Sequence, residues 1–370
     1  MEKVHILLVV RPAVGGIREH LRSLITYLAA DFTFTLACPQ EQQADYAGLP
    51  CQVLPLPLSG KMRPLSDLQA MRQLVRFINT NSVHLLHAHG FKAALVARLA
   101  ARACKRPCLV TVHSDFAQAQ AARLPAIYLT AERKLKRWTA GYITVSQWLA
   151  EILQQNIQVD EGQISVVPNG IELMADKAAA CTLPFSKEAI LVGTVARLVP
   201  QKGLEVLLQA AALLVPRFPQ ICFVVAGEGP LCAELEKKRN NLALEQRFFF
   251  LGYCEQVAAL LARLSVFVLP SLSEAQGIAV LEAMQAGCPV VVSAAGGLRE
   301  LIEDNKNGLL VPPGNAVSLA EAIEKLLRQP HLAARLARQA QADVCRFSIS
   351  ESMRKTKMVY DRVLEGRNTL

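Results

Sequence analysis

The chain has 370 residues, 52% of them hydrophobic and 19% charged, which excludes a disordered chain and supplies apolar material for two cores of ordinary domain size. Mean hydropathy is positive at +0.26, yet no stretch approaches the ~18 unbroken apolar residues of a membrane-spanning helix. The formal charge of +9 is uneven, with 18 Lys+Arg against 11 Asp+Glu in the first 170 residues, and lacks the interleaved aromatics of a nucleic-acid surface.

Val4 to Val10 reads as a buried strand. Its apolar run Ile6 to Val10 stops at Arg11-Pro12, too short for a signal-peptide core. Gly16 to Ala30 follows as an amphipathic helix, with Leu21, Leu24, Ile25 and Leu28 at helical spacing. Phe32 to Cys38, Val83 to His87, Cys108 to His113 and Tyr142 to Val145 read as further strands, separated by helical stretches such as Phe91 to Ala103. Pro168-Asn169-Gly170 then breaks the pattern, and a poorly periodic stretch runs through Pro184. The alternation restarts with strands at Ile190 to Val195, Ile221 to Ala226, Arg247 to Leu251, Val266 to Leu269 and Pro289 to Val292. Helices are expected from Leu204, Leu231, Gln256, Ile278, Leu298 and Ser318, and a last one over Ser350 to Leu364. Alternation of this kind predicts an α/β protein of two Rossmann-like, doubly wound parallel-sheet domains facing a cleft. The expected division is 1–170, a linker over 171–188, a second domain over 189–349, and a terminal segment 350–370 that can return to the first domain.

Ten scattered cysteines, among which the close pair Cys104 and Cys108 has no matching second pair, fit reduced thiols in a cytosol better than a zinc site or disulfide framework. The basic excess gathers in Lys61 to Arg76, Lys92 to Arg106 and Arg133 to Arg137. An anionic membrane surface or lipid-linked substrate is its functional reading, and a solvated basic face the plain one.

Three loops in the second half carry chemistry. In Val195-Ala-Arg197-Leu-Val-Pro-Gln-Lys202-Gly203, two cations between a strand and a helix can converge on one anion beside a helix amino terminus. In Val225-Ala-Gly227-Glu228-Gly229-Pro230, glycines at a strand end permit close approach of a ligand. In Glu274-Ala-Gln-Gly277-Ile278-Ala279-Val-Leu-Glu282-Ala-Met, one carboxylate precedes a helix and a second lies two turns into it, among apolar neighbours. An unpaired carboxylate is costly there, and a cis-diol such as ribose offers it two donors. Each loop also has an ordinary reading as a solvated turn. In the first half, His87 and His89 flank a strand end, but no third ligand at a metal-binding spacing accompanies them.

In this order, with Ala286-Gly287-Cys-Pro-Val-Val, Gly296-Gly297-Leu-Arg-Glu300 and Asn307-Gly-Leu-Leu-Val-Pro-Pro-Gly314, the second half resembles retaining family 4 glycosyltransferases almost continuously from Gly193 to Leu327. The first half agrees through Gly15-Gly16-Ile-Arg-Glu-His20, His87-Ala-His89, Val112-His113, Val145-Ser146 and Val167-Pro-Asn169-Gly170-Ile171. The resemblance implies the GT-B fold and a nucleotide-sugar co-substrate. By it, Arg197 and Lys202 hold the donor diphosphate, Glu282 the ribose hydroxyls, and Gly15 and Gly16 let a loop approach the diphosphate. Glu274 with the amides of Gly277, Ile278 and Ala279 meets the donor sugar and phosphates, Gly227 and Glu228 belong to the donor loop, and His113 lies at the sugar. His20 and His89 are assigned to the acceptor side. Ala275-Gln276 departs from the Gly and large apolar residue of many relatives, which leaves the sugar open. Asp115 is a weak candidate nucleophile. No Asp-x-Asp metal clamp occurs, so no metal and no cofactor is expected. The expected enzyme works in the cytoplasm or against the inner face of the membrane. A sugar phosphorylase, a nucleotide-sugar epimerase and a non-catalytic nucleotide-sugar-binding partner are the alternatives.

Overall fold

The structure is a computed structural model that describes residues 3–13, 15–60, 63–114, 125–173, 185–186 and 188–366. It divides into two compact units, Met1–Gly170 with Ile349–Leu370, and Ile171–Ser348. Both are Rossmann-like α/β sandwiches. None of the described helices is long and apolar enough to cross a membrane.

In the first unit the strands are β1 (Val4–Val10), β2 (Phe32–Pro39), β3 (Cys51–Leu56), β4 (Val83–His89), β5 (Cys108–Val112), β6 (Gly141–Thr144) and β7 (Ile164–Val166). They form one sheet in the order β3-β2-β1-β4-β5-β6-β7, with every pairing parallel. The helices are α1 (Gly16–Leu28), α2 (Pro64–Thr80), α3 (Phe91–Ala103), α4 (Pro125–Leu135) and α5 (Gln147–Ile152). Because the chain winds outward from β1 to one side and returns through β4 to the other, the β1/β4 boundary is the switch point where open α/β sheets bind ligands. Strand β1 is buried along Ile6 to Val10, as a sheet covered on both faces requires.

The terminal helix packs on this unit. Its Met353, Val359 and Tyr360 share a core with Leu21, Leu24 and Phe34, and the Tyr360 ring meets Phe32 edge-on at 5.4 Å.

The second unit holds β8 (Ile190–Val195), β9 (Ile221–Ala226), β10 (Phe248–Gly252), β11 (Val266–Leu269), β12 (Val290–Ser293) and β13 (Leu309–Val311), in the order β10-β9-β8-β11-β12-β13. Its helices are α6 (Leu204–Leu214), α7 (Cys232–Asn241), α8 (Val257–Arg263), α9 (Ile278–Gln285), α10 (Leu298–Leu301), α11 (Ala316–Arg328) and α12 (Pro330–Asp343). Adjacent β8 and β11 mark a second switch point, and the loops leaving them carry Arg197, Lys202 and Glu274, while Gly227 and Glu228 follow β9.

The basic stretches of the first unit are partly structural. Lys92 is buried against Asp67 at 3.2 Å. Arg98 is fully buried, with Nη1 2.6 Å from Glu132 and Nη2 donating to Tyr142 Oη at 3.0 Å. Arg133 and Lys136 donate to the backbone carbonyls of Asn156 and Gln158, where cations complement a helix end. Arg102 and Arg137 stack on Trp138 at 4.3 and 4.9 Å. The nine described cysteines are free thiols.

Candidate active site

On the second unit, Lys202 and Glu274 are brought together across 72 residues of sequence by the β8/β11 adjacency. Lys202 Nζ lies 2.5 Å from Glu274 Oε2, and Ser271 Oγ donates to the same oxygen at 3.2 Å. The loops themselves are tied by backbone bonds, Leu272 N to Gln201 O at 2.8 Å and Gly297 N to Glu274 O at 3.0 Å. Arg197 is exposed on the loop after β8 and makes no ion pair among the described residues. The Gly227-Glu228-Gly229 turn packs beneath it, with Leu198 N donating to Glu228 O at 3.0 Å. The Glu228 side chain is exposed, so its contribution to this packing is through backbone.

Two glycines explain the close approach. Gly203 has φ +62, and a Cβ there would fall 2.1 Å from Pro270 O. At Gly227, with φ +136, it would fall 2.1 Å from Ala196 O. Neither obstacle is a flexible side chain. Replacing Gly203 by Ala is therefore expected to lower stability by about 2–4 kcal/mol and to separate the Lys202 and Glu274 loops. Urea denaturation and nucleotide binding by the folded fraction measure the two effects.

Only some of the described helices carry a side-chain cap. Helix α11 is capped by Asn315 Oδ1 accepting from Ser318 N, and α5 by Ser146 Oγ accepting from Leu149 N. Helices α1, α6 and α9 start on Gly15, Gly203 and Gly277 with no side-chain cap. Their first-turn amides, those of Ile278 and Ala279 included, are left for solvent or an anionic ligand. Gln276, at the position where the sequence departs from many relatives, is buried at 3% exposure. Glu282, partly buried on α9, has no partner among the described residues, and burial pushes its carboxyl up to about 7.

The first unit presents four histidines at the carboxyl ends of β4 and β5 and on α1. His87 is wholly buried, with Nδ1 2.7 Å from Tyr360 Oη and Nε2 2.6 Å from Thr111 Oγ1. With both nitrogens engaged it is a structural residue of the sheet, and β4 runs on past it to His89. His89 Nδ1 faces His113 Nε2 at 3.0 Å, while His89 Nε2 is buried with no partner. The His20 ring packs 5.1 Å from His113 and 5.6 Å from His89 between centroids. His20 and His89 are buried, and His113 is half-buried. The two residues expected on the acceptor side thus turn inward and gather around His113.

Desolvation holds all of these rings neutral. It lowers His20 to about 4 against an opposing side-chain interaction with Asn169. His87 falls to about 3 through burial and then His20. His89 and His113 lie well below the ordinary imidazole value, again first through burial and then through neighbouring histidines, with Arg11 adding to the effect at His113. Asp115 lies outside the described residues.

Two family descriptions match the chain in succession: Glycosyltransferase Family 4 over residues 14–174, and Glycosyl transferases group 1 over 182–343. The chain belongs to the family 4 glycosyltransferases, and its fold is GT-B. Among similar proteins is the UDP-Gal:alpha-D-GlcNAc-diphosphoundecaprenol alpha-1,3-galactosyltransferase of Escherichia coli, 28% identical over 71% of each chain. The phosphatidyl-myo-inositol mannosyltransferase of Mycolicibacterium smegmatis is 27% identical over 94% of this chain and 90% of its own. Anabaena HepE, solved in complex with UDP-glucose, superposes over the full length of both chains with a TM-score of 0.81 at 23% identity. That last likeness bears on the fold alone.

Proposed function

We propose that this glycosyltransferase moves a hexosyl group from UDP-sugar to a lipid-linked or polysaccharide acceptor, with retention of configuration and without a metal ion. The reading places the enzyme in the cytoplasm, in peripheral contact with the anionic inner face of a membrane. One observation carries the donor assignment: an exposed Arg197, the Lys202–Glu274 pair and helix starts at Gly203 and Gly277 all stand on the loops that leave β8 and β11 in the second unit, and Glu282 stands unpaired on the helix that begins at Gly277. Cations and amides suit a diphosphate, and an unpaired carboxylate suits a ribose diol.

In the step envisaged, the bond between the sugar's anomeric carbon and the diphosphate oxygen breaks. The acceptor oxygen bonds to that carbon on the same face, and its proton passes to the departing phosphate. Arg197, Lys202 and the helix amides stabilise the charge that grows on the diphosphate. A phosphate oxygen competes with Glu274 for Lys202, which frees the Glu274 carboxylate for a sugar hydroxyl. His113 is assigned to the transferred sugar. Two relatives act, by name, on lipid-linked acceptors, which supports that acceptor class. A uridine donor is supported by the named donor of the first.

Calorimetry with UDP, GDP, ADP and their sugar conjugates in the presence of a chelator tests the donor. UDP binding is expected to persist in chelator and to weaken more than about tenfold in Arg197→Ala. Because Arg197 is exposed, that variant should keep its stability to within about 0.5 kcal/mol. Selective GDP binding would replace the uridine assignment, and absence of all nucleotide binding would overturn the donor site.

A further inference from the structure

The histidine cluster of the first unit has a property that sugar binding does not use. His20, His89 and His113 each offer a ring nitrogen, and the three nitrogens lie within 4.8 Å of one another. We propose that these three side chains form a binding site for a zinc-class divalent cation.

Four observations carry this beyond coincidence. The distances fit: tetrahedral zinc with Zn–N of 2.0–2.1 Å places its ligand nitrogens roughly 3.3 Å apart, and His89 Nδ1 and His113 Nε2 stand at 3.0 Å. All three nitrogens lie within 4.8 Å of one another, and ring rotations that open the 3.0 Å separation and draw in the His20 nitrogen bring the set toward about 3.3 Å. The proton inventory is short. Two neutral imidazoles in contact share a single N–H between His89 Nδ1 and His113 Nε2, and a cation takes that proton's place between the two lone pairs once the ring tautomer shifts its N–H to the far nitrogen. The rings are pre-set, since His20 packs against both His89 and His113, and the His89 ring is flanked by His87 at 4.2 Å and stacks with His113 at 5.3 Å between centroids. Such outer contacts fix the orientation of metal-binding histidines. Finally, the ligands are not local in sequence. They come from α1, the end of β4 and the residue after β5, three rigid elements meeting at the sheet's switch point.

The donor set selects the ion. Three imidazoles and no carboxylate among the ligand atoms suit zinc, cobalt, nickel or copper, and reject magnesium and calcium, which require oxygen. Three protein ligands leave a tetrahedral ion's fourth position to water or an anion, and the charge of Arg11, felt at His113, favours the anion. The functional consequence rests on the assignment of His113 to the transferred sugar. A cation held there withdraws His113 from the sugar, so zinc inhibits transfer although the reaction needs no metal.

Equilibrium dialysis of the intact protein against Zn2+, with metal analysis, tests the site, and Co2+ absorption reports its ligands. One equivalent is expected, with visible bands of tetrahedral cobalt and no near-ultraviolet thiolate charge-transfer band. Affinity should fall more than about tenfold in His20→Ala and in the gentler His20→Gln, each checked for its far-ultraviolet circular dichroism. The wild-type cobalt spectrum needs no variant and stands if either fails to fold. No stoichiometric binding, a thiolate spectrum, or undiminished binding in a folded His20 variant would overturn the proposal. Stoichiometric binding that leaves turnover of the bound nucleotide sugar unchanged would retain the site and overturn its inhibitory role together with the sugar contact of His113.

Discussion

Replacing Glu132 by Ala is expected to remove about 3–5 kcal/mol of stability from the first unit, enough to unfold a domain of ordinary marginal stability. Glu132 is 2% exposed and is the carboxylate partner of Arg98, which is wholly enclosed. Burying an arginine from a sheet-covering helix is tolerated only while its charge is paired, and Tyr142 supplies one further acceptor at 3.0 Å. Arg98 Nε already lacks a partner, so the site has no reserve with which to accommodate a second loss. Ala at position 132 leaves a buried guanidinium facing a void, and a buried arginine cannot escape by shedding its proton. The double variant Arg98→Met with Glu132→Leu tests the cause, because it removes both charges and keeps the volume. It should recover most of the lost stability in urea denaturation. If the double variant were as unstable as Glu132→Ala alone, shape rather than charge would be what the pair contributes.

The same pair shows what the sequence hides. Arg98 sits in a stretch that reads, residue by residue, as one of three basic surfaces, together with Lys92 and the Arg133 to Arg137 run. Only the fold reveals that Lys92 and Arg98 are interior and that Arg133 and Lys136 close a helix end. Charge counted along a chain does not say which side of a helix it occupies. Buried apolar strands are the opposite case. Val4 to Val10, Ile190 to Val195, Ile221 to Ala226 and Val266 to Leu269 are predominantly apolar, broken only by His5 and by Gly193-Thr194, since both faces of a parallel sheet are covered, and their limits are visible without a structure. Strand β3 escapes notice because it is a half-exposed edge strand containing Pro55. Strand β13 escapes because three residues between Gly308 and Pro312 carry too little pattern. Helix α12 begins at Pro330 and buries only Leu336, Ala337 and Ala340, a face too small to stand out.

Within the candidate site, legibility follows sequence distance. The setting of Glu282 is local, Ala-Val-Leu-Glu-Ala-Met, and its burial can be inferred from one turn on either side. The pairing of Lys202 with Glu274 depends on β8 lying beside β11. The assembly of His20, His89 and His113 depends on β1, β4 and β5 being consecutive in the sheet. No spacing in the chain announces either. His87 and His89, two residues apart on one face of β4 with rings 4.2 Å apart, look like the natural pair from sequence, yet hydrogen bonds commit both His87 nitrogens to Tyr360 and Thr111.

Glu282→Gln is expected to do two opposite things, and together they give the strongest test of the ribose assignment. Burial raises the Glu282 carboxyl to about 7. Between its ordinary value near 4.5 and that raised value, the unfolded chain has released a proton that the folded chain retains. Stability therefore falls as pH rises through this window, and the full penalty applies above pH 7. At about 1.4 kcal/mol per pKa unit the penalty is at most ~3.5 kcal/mol, and closer to ~2 for a side chain that water still reaches in part. Gln carries no such penalty, so the variant should be more stable than the parent at pH 8 and no more stable at pH 4.5. Nucleotide binding should move the other way. A carboxylate accepting two ribose hydroxyls makes charge-assisted bonds that Gln cannot match, which predicts a loss of affinity of roughly 30-fold or more at pH 8. The parent must ionise Glu282 to make those bonds, so its affinity should drop about tenfold for each pH unit below 7, with proton release visible in buffers of differing ionisation enthalpy. The Gln variant lacks that component, and the difference between the two profiles isolates Glu282 from titration of the diphosphate itself. A variant that gained stability while binding UDP as tightly as the parent would keep Glu282 as a strained helix residue and remove it from the donor site.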